Sequence, residues 1–119
     1  MNHGALIICG GKSTRMGTSK AMLPFGDQRM LQRVVRLLGE VIPTENIVVA
    51  AAAGQPLPEL PKPVRVVRDR TADRGPLEGL AIGLAALADR AEAAYVSGCD
   101  APLLKPAWIR EMLRRLGDA

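Results

Sequence analysis

Histidine and cysteine are scarce in this sequence. His3 is the only histidine among 119 residues, and Cys9 and Cys99 are the only cysteines. A structural zinc site needs about four thiolate or imidazole ligands at short spacings, and a histidine-based mechanism needs a histidine beside its reacting partner. The sequence therefore argues against both kinds of site and predicts two reduced thiols, while a hard cation held by carboxylates stays open.

Aromatic residues and long apolar runs are also scarce. Phe25, Tyr95 and Trp108 make up 3% of the chain, whereas proteins that bind single-stranded nucleic acid stack bases on several exposed rings. No apolar run approaches the roughly 20 residues that cross a bilayer, and residues 1–4 lack the basic region of a signal peptide. We therefore expect a cytoplasmic protein that has neither a nucleic-acid partner nor a membrane partner.

The remaining composition is typical of one globular domain spanning residues 1–119. Apolar residues make up 48% of the chain and charged residues 24%, and no repeat or linker divides it. The net charge is +4, and the basic residues are spread along the chain. A small phosphate-bearing ligand explains this charge as well as nucleic acid would.

Hydrophobic patterns alternate between those of buried strands and those of amphipathic helices. Strands are predicted at residues 5–9, 46–51, 64–67 and 93–97, and helices at residues 27–38, 76–87 and 106–117. Asp27 is predicted to cap the first helix, and the proline-rich residues 54–63 are predicted to form only a loop. This alternation predicts an α/β domain with a mainly parallel sheet and right-handed crossovers.

The second and third helices each carry an apolar face. Gly79 and Gly83 lie one turn apart, which predicts a close approach of the second helix to the strands. Trp108 is predicted to pack against the sheet edge. The residues predicted to face inward are Leu77, Leu80, Ala81, Leu84 and Leu87 in the second helix, and Ile109, Met112, Leu113 and Leu116 in the third.

A glycine pair and several cations follow the first predicted strand. Gly10 and Gly11 allow main-chain N–H groups to approach a ligand closely, and Arg15 and Lys20 suggest that this ligand is anionic, such as a nucleotide. The alternative is a tight turn with solvated cations. The segment is neither a Walker A loop, because Leu6 stands at the required glycine, nor G-x-G-x-x-G, because Lys12 stands at the second glycine.

Two carboxylates also follow predicted strands. Asp69 comes directly after the third strand, and Asp100 comes shortly after the fourth. Ligands bind outside the carboxyl ends of open parallel sheets, and a carboxylate there suits Mg²⁺. The alternative is that each aspartate only stabilises a local turn. The convergence of glycines, cations and carboxylates at strand ends favours a nucleotide site.

Three ordered segments resemble the motifs of the MobA-like nucleotidyltransferases. Within that superfamily, the resemblance is strongest to the molybdenum cofactor guanylyltransferases. The first motif is I-C-G-G-K-S-T-R-M-G-T-S-K at residues 8–20 with L-P-F-G at 23–26, the second is R-D at 68–69 with G-P-L-E-G-L at 75–80, and the third is G-C-D-A-P-L at 98–103.

The resemblance implies a three-layer, Rossmann-like nucleotidyltransferase fold and an Mg²⁺-dependent reaction. The implied reaction transfers GMP from GTP to the terminal phosphate of molybdopterin and releases pyrophosphate. By position, Arg15 and Lys20 would neutralise the triphosphate, Asp69 would contact the nucleotide and Asp100 would coordinate Mg²⁺, so that Arg15, Lys20 and Asp100 are the expected catalytic residues. The residues expected to hold the guanine, largely through main-chain groups, are Ile8, Cys9, Gly10 and Gly11.

The sequence departs from the family pattern in three respects. Ser19 stands where the family usually has an aspartate, and residues 50–53 are alanines where relatives place an asparagine that helps recognise the nucleotide. Relatives also continue past residue 119, so we expect a truncated member in which residues 1–119 are the N-terminal, nucleotide-binding part of a single domain and the sheet exposes an edge strand. The alternatives are a cytidylyl or sugar-phosphate nucleotidyltransferase and a nucleotide-binding module without catalysis. The pair Gly10-Gly11 favours the guanylyl branch.

Overall fold

The computed structural model describes residues 2–9, 22–52, 54–68, 76–98 and 105–117, with positions 25, 76–79, 116 and 117 described by their backbone alone. A 3-10 turn at Thr44–Asn46 precedes the fourth strand. The strands are β1 (His3–Ile8), β2 (Pro24–Phe25), β3 (Gln28–Arg29), β4 (Ile47–Ala51), β5 (Arg65–Arg68) and β6 (Ala93–Gly98), and the helices are α1 (Met30–Gly39), α2 (Pro76–Leu87) and α3 (Pro106–Gly117).

Four strands form a parallel sheet in the order β5-β4-β1-β6. Ile8 at the end of β1 lies opposite Ala50 of β4 and Gly98 of β6, and Ala51 of β4 lies opposite Arg68 of β5. The four carboxyl ends therefore meet along one side of the sheet, which we call the carboxyl edge (Ile8, Ala51, Arg68 and Gly98). The predicted α/β domain with a mainly parallel sheet is confirmed.

The sheet is covered by helices on both faces, which gives three layers. Alternate side chains of β1 point to opposite faces, as the period of a strand requires. Ala5 and Ile7 join a core cluster with residues of α1 and α3, whereas Leu6 joins a second cluster with Leu87 of α2. Both faces of β1 are thus buried, which explains its continuous apolar sequence.

Helix α2 packs closely on the sheet at Gly83. The side chain of Leu6 fills the space that a Cβ atom at Gly83 would need. Any larger residue at this position would therefore displace either Leu6 or the helix. The close approach predicted from the glycine spacing is confirmed for Gly83.

The start of α1 differs from the prediction. Residues 24–29 form a short antiparallel hairpin, and α1 begins at Met30 with Arg29 as its N-cap. Gly26 has a φ of 64°, a value that favours glycine in a two-residue hairpin turn. Asp27 lies in this turn, so the prediction that it caps the helix was wrong. Instead, the side-chain Oε1 of Gln32 accepts the Arg29 N–H at 2.8 Å.

Four residues predicted to pack inward are exposed. They are Ala81, Leu84, Met112 and Trp108, of which the last three are 41%, 52% and 61% exposed, respectively. Met112 and Trp108 each immediately precede a buried residue of α3, Leu113 and Ile109, and are therefore rotated about 100° from the packed face. Trp108 lies instead near Lys105, whose Nζ is 5.0 Å from the ring centroid. The apolar patterns marked these helices as amphipathic but overestimated the width of their buried faces.

Strand β6 forms one end of the sheet order. Its Val96 side chain is 44% exposed.

Within the described parts of the chain, none of the helices is sufficiently long and apolar to span a membrane.

Candidate functional site

The carboxyl edge carries the starting points of all three motifs. Most predicted site residues lie outside the described residues, namely Gly10, Gly11, Arg15, Lys20, Asp69 and Asp100. The strands that they follow are nonetheless placed: β1 and β6 are neighbours, whereas β5 is separated from β1 by β4. Neighbouring strands lie about 4.8 Å apart, so the first and third motifs leave the sheet side by side.

Ile8 and Cys9 are the two predicted site residues that the structure describes. Ile8 is partly buried against the α2 side, and Cys9 is a buried residue of the core cluster on the other side. The Cys9 N–H donates to the Ala50 carbonyl at 2.8 Å, and the Cys9 carbonyl accepts a hydrogen bond from Gln55 Nε2 at 2.9 Å. Both main-chain polar groups of Cys9 thus hold β1 to the segment around β4. A contact of Ile8 or Cys9 with guanine remains a prediction.

Gln55 is a buried polar residue that sequence reasoning missed. Only 8% of its surface is exposed, and its Oε1 accepts the Ala52 N–H at 2.9 Å. Its own N–H donates to the Ala52 carbonyl at 3.1 Å, which closes a turn containing Gly54 at a φ of 72°. The sequence did contain one signal for this role, a single glutamine that directly follows Gly54 after the apolar residues of β4.

Arg68 joins β5 to the same turn. Its Nη1 donates to the Ala52 carbonyl at 3.0 Å and to the Gln55 carbonyl at 2.9 Å. A guanidinium presents several donors in a fixed plane, so one side chain can hold two carbonyls at once. Together, Gln55 and Arg68 tie the ends of β1, β4 and β5 into one hydrogen-bonded group.

The asparagine that the resemblance leads us to expect near the end of β4 has no counterpart at positions 50–53, which are all alanines. Ala50 and Ala51 are buried within the sheet. The amide in this region belongs to Gln55, and the side-chain contacts described for it are to main-chain groups. These two contacts of the Gln55 amide hold the backbone at the ends of β4 and β1.

Titratable groups in the described regions do not form a second candidate centre. Those regions contain no cluster of three or more His, Cys, Asp or Glu residues that could hold a metal. His3 begins β1 and so lies at the opposite end of that strand from the carboxyl edge. On α3, hydrogen bonds from Arg114 and Arg115 hold the pKa of the exposed Glu111 below its ordinary value.

Two surface cavities accompany this arrangement. A groove of about 990 Å³ lies against α1 and is lined by residues that include Arg33, Arg36 and Glu59, but by none of the four carboxyl-edge residues. A second cavity, of about 590 Å³, is lined by the proline-rich loop and β5 and reaches Arg68. Of these two cavities in the described part of the chain, the second contacts the carboxyl edge at Arg68, so we do not assign the groove along α1 to the nucleotide.

Sequence comparisons identify the family. The model of the MobA-like NTP transferase domain matches residues 5–119. A probable molybdenum cofactor guanylyltransferase of Mycobacterium avium is 39% identical over 116 residues, which cover 95% of this chain and 57% of the relative. Its counterpart in Mycobacterium tuberculosis is 38% identical over 113 residues, covering 92% and 54%. The chain thus spans little more than half the length of these relatives.

Three solved structures have a similar fold. Rv0371c from Mycobacterium tuberculosis has a TM-score of 0.72 at 23% identity, with 96% of this chain and 60% of that chain covered. Its complex with manganese has a TM-score of 0.65 at 20% identity, covering 96% and 59%. A cytidylyltransferase from Leptospira borgpetersenii has a TM-score of 0.69 at 23% identity, covering 96% and 48%.

These likenesses agree with the parallel sheet, its helical layers and the three ordered motifs. At such low identities the solved structures bear on the fold alone, whereas the family model covers nearly the whole sequence. The chain therefore belongs to the MobA-like NTP transferase domain family.

Proposed function

We propose that this chain binds GTP with Mg²⁺ at the carboxyl edge and acts in the transfer of GMP to the terminal phosphate of molybdopterin. The observation that carries the proposal is the pairing of β1 with β6, because it starts the first and third motifs from adjacent strands. Cationic and carboxylate groups from these motifs can then act on one triphosphate. The names of the relatives at 38% and 39% identity support guanylyl transfer.

The reaction needs charge neutralisation and alignment more than a protein nucleophile. A phosphate oxygen of molybdopterin attacks the α-phosphorus of GTP, a new P–O bond forms, and the bond to the bridging oxygen breaks to release pyrophosphate. In this proposal, Arg15 and Lys20 neutralise the charge on the triphosphate and the leaving pyrophosphate. The scarcity of histidine agrees with this chemistry.

The sheet order favours different roles for the two aspartates. Asp69 follows β5 and Asp100 follows β6, and these strands are three strand spacings apart, or about 14 Å. Asp100, whose preceding strand β6 is the neighbour of β1, is the better candidate to hold Mg²⁺, which commonly takes one or two carboxylates together with phosphate oxygens. The bound cation would supply electrostatic stabilisation of the phosphate charge. Asp69 would then contact the nucleotide, close to the turn of Gln55.

Nucleotide binding is the part of the proposal to test first, because the chain spans 54% to 57% of the length of the curated relatives. Calorimetric titrations with GTP, CTP and UTP, each with Mg²⁺, should show the tightest binding for GTP. Preference for CTP would instead support the cytidylyl alternative. Absence of binding for all three would contradict the proposal.

Transfer is tested by pyrophosphate release in the presence of GTP, Mg²⁺ and molybdopterin. A longer curated relative, assayed in parallel, provides the positive control. Release that depends on both GTP and molybdopterin supports guanylyl transfer by this chain. GTP binding without release, while the longer relative is active, would restrict this chain to nucleotide binding.

A further inference from the structure

We propose that Gln55 is a positioning residue for nucleotide binding, which acts by holding the Cys9 carbonyl where β1 passes into the first motif. The inference rests on the proposed function, since it assigns Gln55 a part in binding GTP. Nothing in the family motifs marks this residue, which lies in the proline-rich loop after β4. The assignment comes from its burial and from the two main-chain groups that its amide contacts.

The contact with Cys9 acts at the last described residue before Gly10 and Gly11. Gln55 Nε2 donates to the Cys9 carbonyl at 2.9 Å from a site that is 8% exposed. A peptide unit is planar, so the direction of a carbonyl also sets the direction of the next residue's N–H. In this proposal, holding the Cys9 carbonyl fixes the plane of the peptide bond through which β1 continues into the first motif.

The chemistry of this contact explains why an amide is needed. Oε1 accepts the Ala52 N–H while Nε2 donates to the Cys9 carbonyl, so the side chain must be acceptor and donor at once. A methionine offers neither function, and an ionised glutamate offers only the acceptor. The second main-chain partner, Ala52, also accepts from Arg68, which directly precedes Asp69. The same turn thus supports the starting points of the first and second motifs.

Gln32 provides a matched control in the same chain. Its Oε1 accepts the Arg29 N–H at 2.8 Å, and its Nε2 donates to the Glu59 carbonyl at 2.9 Å. The two glutamines therefore make contacts of the same kind, but those of Gln32 are exposed and join the start of α1 to the proline-rich loop. Substitution of Gln32 should disturb the fold locally without acting on the end of β1.

The experiment compares Gln55→Met with Gln32→Met in the full 119-residue chain. Each variant is titrated with GTP and Mg²⁺ well below its own Tm, so that only folded protein is measured. Loss of a buried hydrogen bond at a binding segment is expected to weaken GTP binding about ten-fold in Gln55→Met. Gln32→Met should remain within about two-fold of wild type, although both variants should have a lower Tm.

Gln55→Glu provides a second test in case Gln55→Met does not fold. The carboxylate keeps an acceptor for the Ala52 N–H but offers no donor to the Cys9 carbonyl at neutral pH. GTP binding should therefore weaken at least as much as in Gln55→Met. The carbonyl ¹³C shift of Cys9 in each folded variant reports directly whether this hydrogen bond is lost.

The outcomes separate this inference from the proposed function. If the wild-type chain binds no nucleotide, both the proposed function and the positioning role of Gln55 are contradicted. If wild type binds GTP and the folded Gln55 variants match Gln32→Met in affinity while the Cys9 shift moves, the positioning role alone is overturned. A selective loss of affinity in the Gln55 variants supports it.

Discussion

The two ends of β1 are held by the same kind of contact. At the amino end, Asn46 Nδ2 donates to the His3 carbonyl at 3.1 Å, and at the carboxyl end, Gln55 Nε2 donates to the Cys9 carbonyl at 2.9 Å. Asn46 precedes β4 and Gln55 follows it, so the segment that contains β4 is hydrogen-bonded to both ends of β1. Only the carboxyl end continues into a motif of the family. Our proposal therefore assigns the hydrogen bond at the amino end to stability alone and the one at the carboxyl end to both stability and nucleotide binding.

Removing the carboxylate at Asp100 should give the largest functional effect at the carboxyl end. Asp100→Asn keeps the size of the side chain but weakens its affinity for a hard cation. We expect Mg²⁺-dependent pyrophosphate release to fall about 100-fold or more, the range seen when an electrostatic stabiliser of a transition state is removed. A pyrophosphate-coupled assay measures the change. Activity within a few-fold of wild type would remove Asp100 from the proposed metal site.

Replacing the Leu6 side chain in the middle of β1 by a smaller one should give the largest effect on stability. Leu6 is fully buried and packs against Gly83 of α2. Leu6→Ala leaves a cavity between the sheet and the helix, so we expect the free energy of unfolding to fall by about 2–5 kcal/mol. Urea unfolding followed by circular dichroism measures this loss. A change below 1 kcal/mol would mean that α2 closes onto the space.

Removing the amide at the amino end should affect stability without affecting nucleotide binding. Asn46→Ala deletes the donor to the His3 carbonyl, a partly buried contact, and should lower the free energy of unfolding by about 1 kcal/mol. The folded variant should bind GTP as wild type does, in contrast to Gln55→Met. Urea unfolding and calorimetry together test this pair. An equal loss of GTP affinity in both variants would abolish the distinction between the two ends.

The ion pairs of α3 should give the smallest effect and serve as a baseline. Glu111 is exposed and accepts hydrogen bonds from Arg114 at 2.8 Å and Arg115 at 3.0 Å. Because its folded-state pKa is lowered, any stabilisation is present above the ordinary value of 4.5 and is lost as the pH falls through the folded-state pKa. Thermal melts of Glu111→Gln and wild type should nearly coincide at pH 7 and at pH 3. A clear Tm difference at pH 7 would contradict this expectation.

The elements of the fold follow from the sequence more readily than the contacts at the site. The apolar residues 5–9 and 47–51 could be read as buried strands because burial on both faces leaves a continuous apolar run. The hairpin at residues 24–29 was missed because the two β-strands are only two residues long. Gln55 was missed because its partner Cys9 is 46 positions away, so no local pattern contains both residues.

The inward faces of the helices show a similar limit. Periodicity identifies an apolar stripe, but the sheet contacts only part of it, and a residue one position away from that part is rotated by about 100°. Met112 and Trp108 became exposed for this reason, whereas Ile109 and Leu113 are buried. The roles of Arg15, Lys20, Asp69 and Asp100 depended on resemblance to a family, and they remain predictions.

The most direct test of nucleotide binding at the carboxyl edge is an NMR titration of the ¹⁵N-labelled chain with GTP and Mg²⁺. We expect saturable shifts of the amide signals of Ile8, Cys9, Gln55 and Gly98, with those of His3 and Asn46 unchanged. CTP at the same concentration should cause smaller shifts. The absence of saturable shifts, or shifts confined to the amino end or to the groove along α1, would contradict a GTP site at the carboxyl edge.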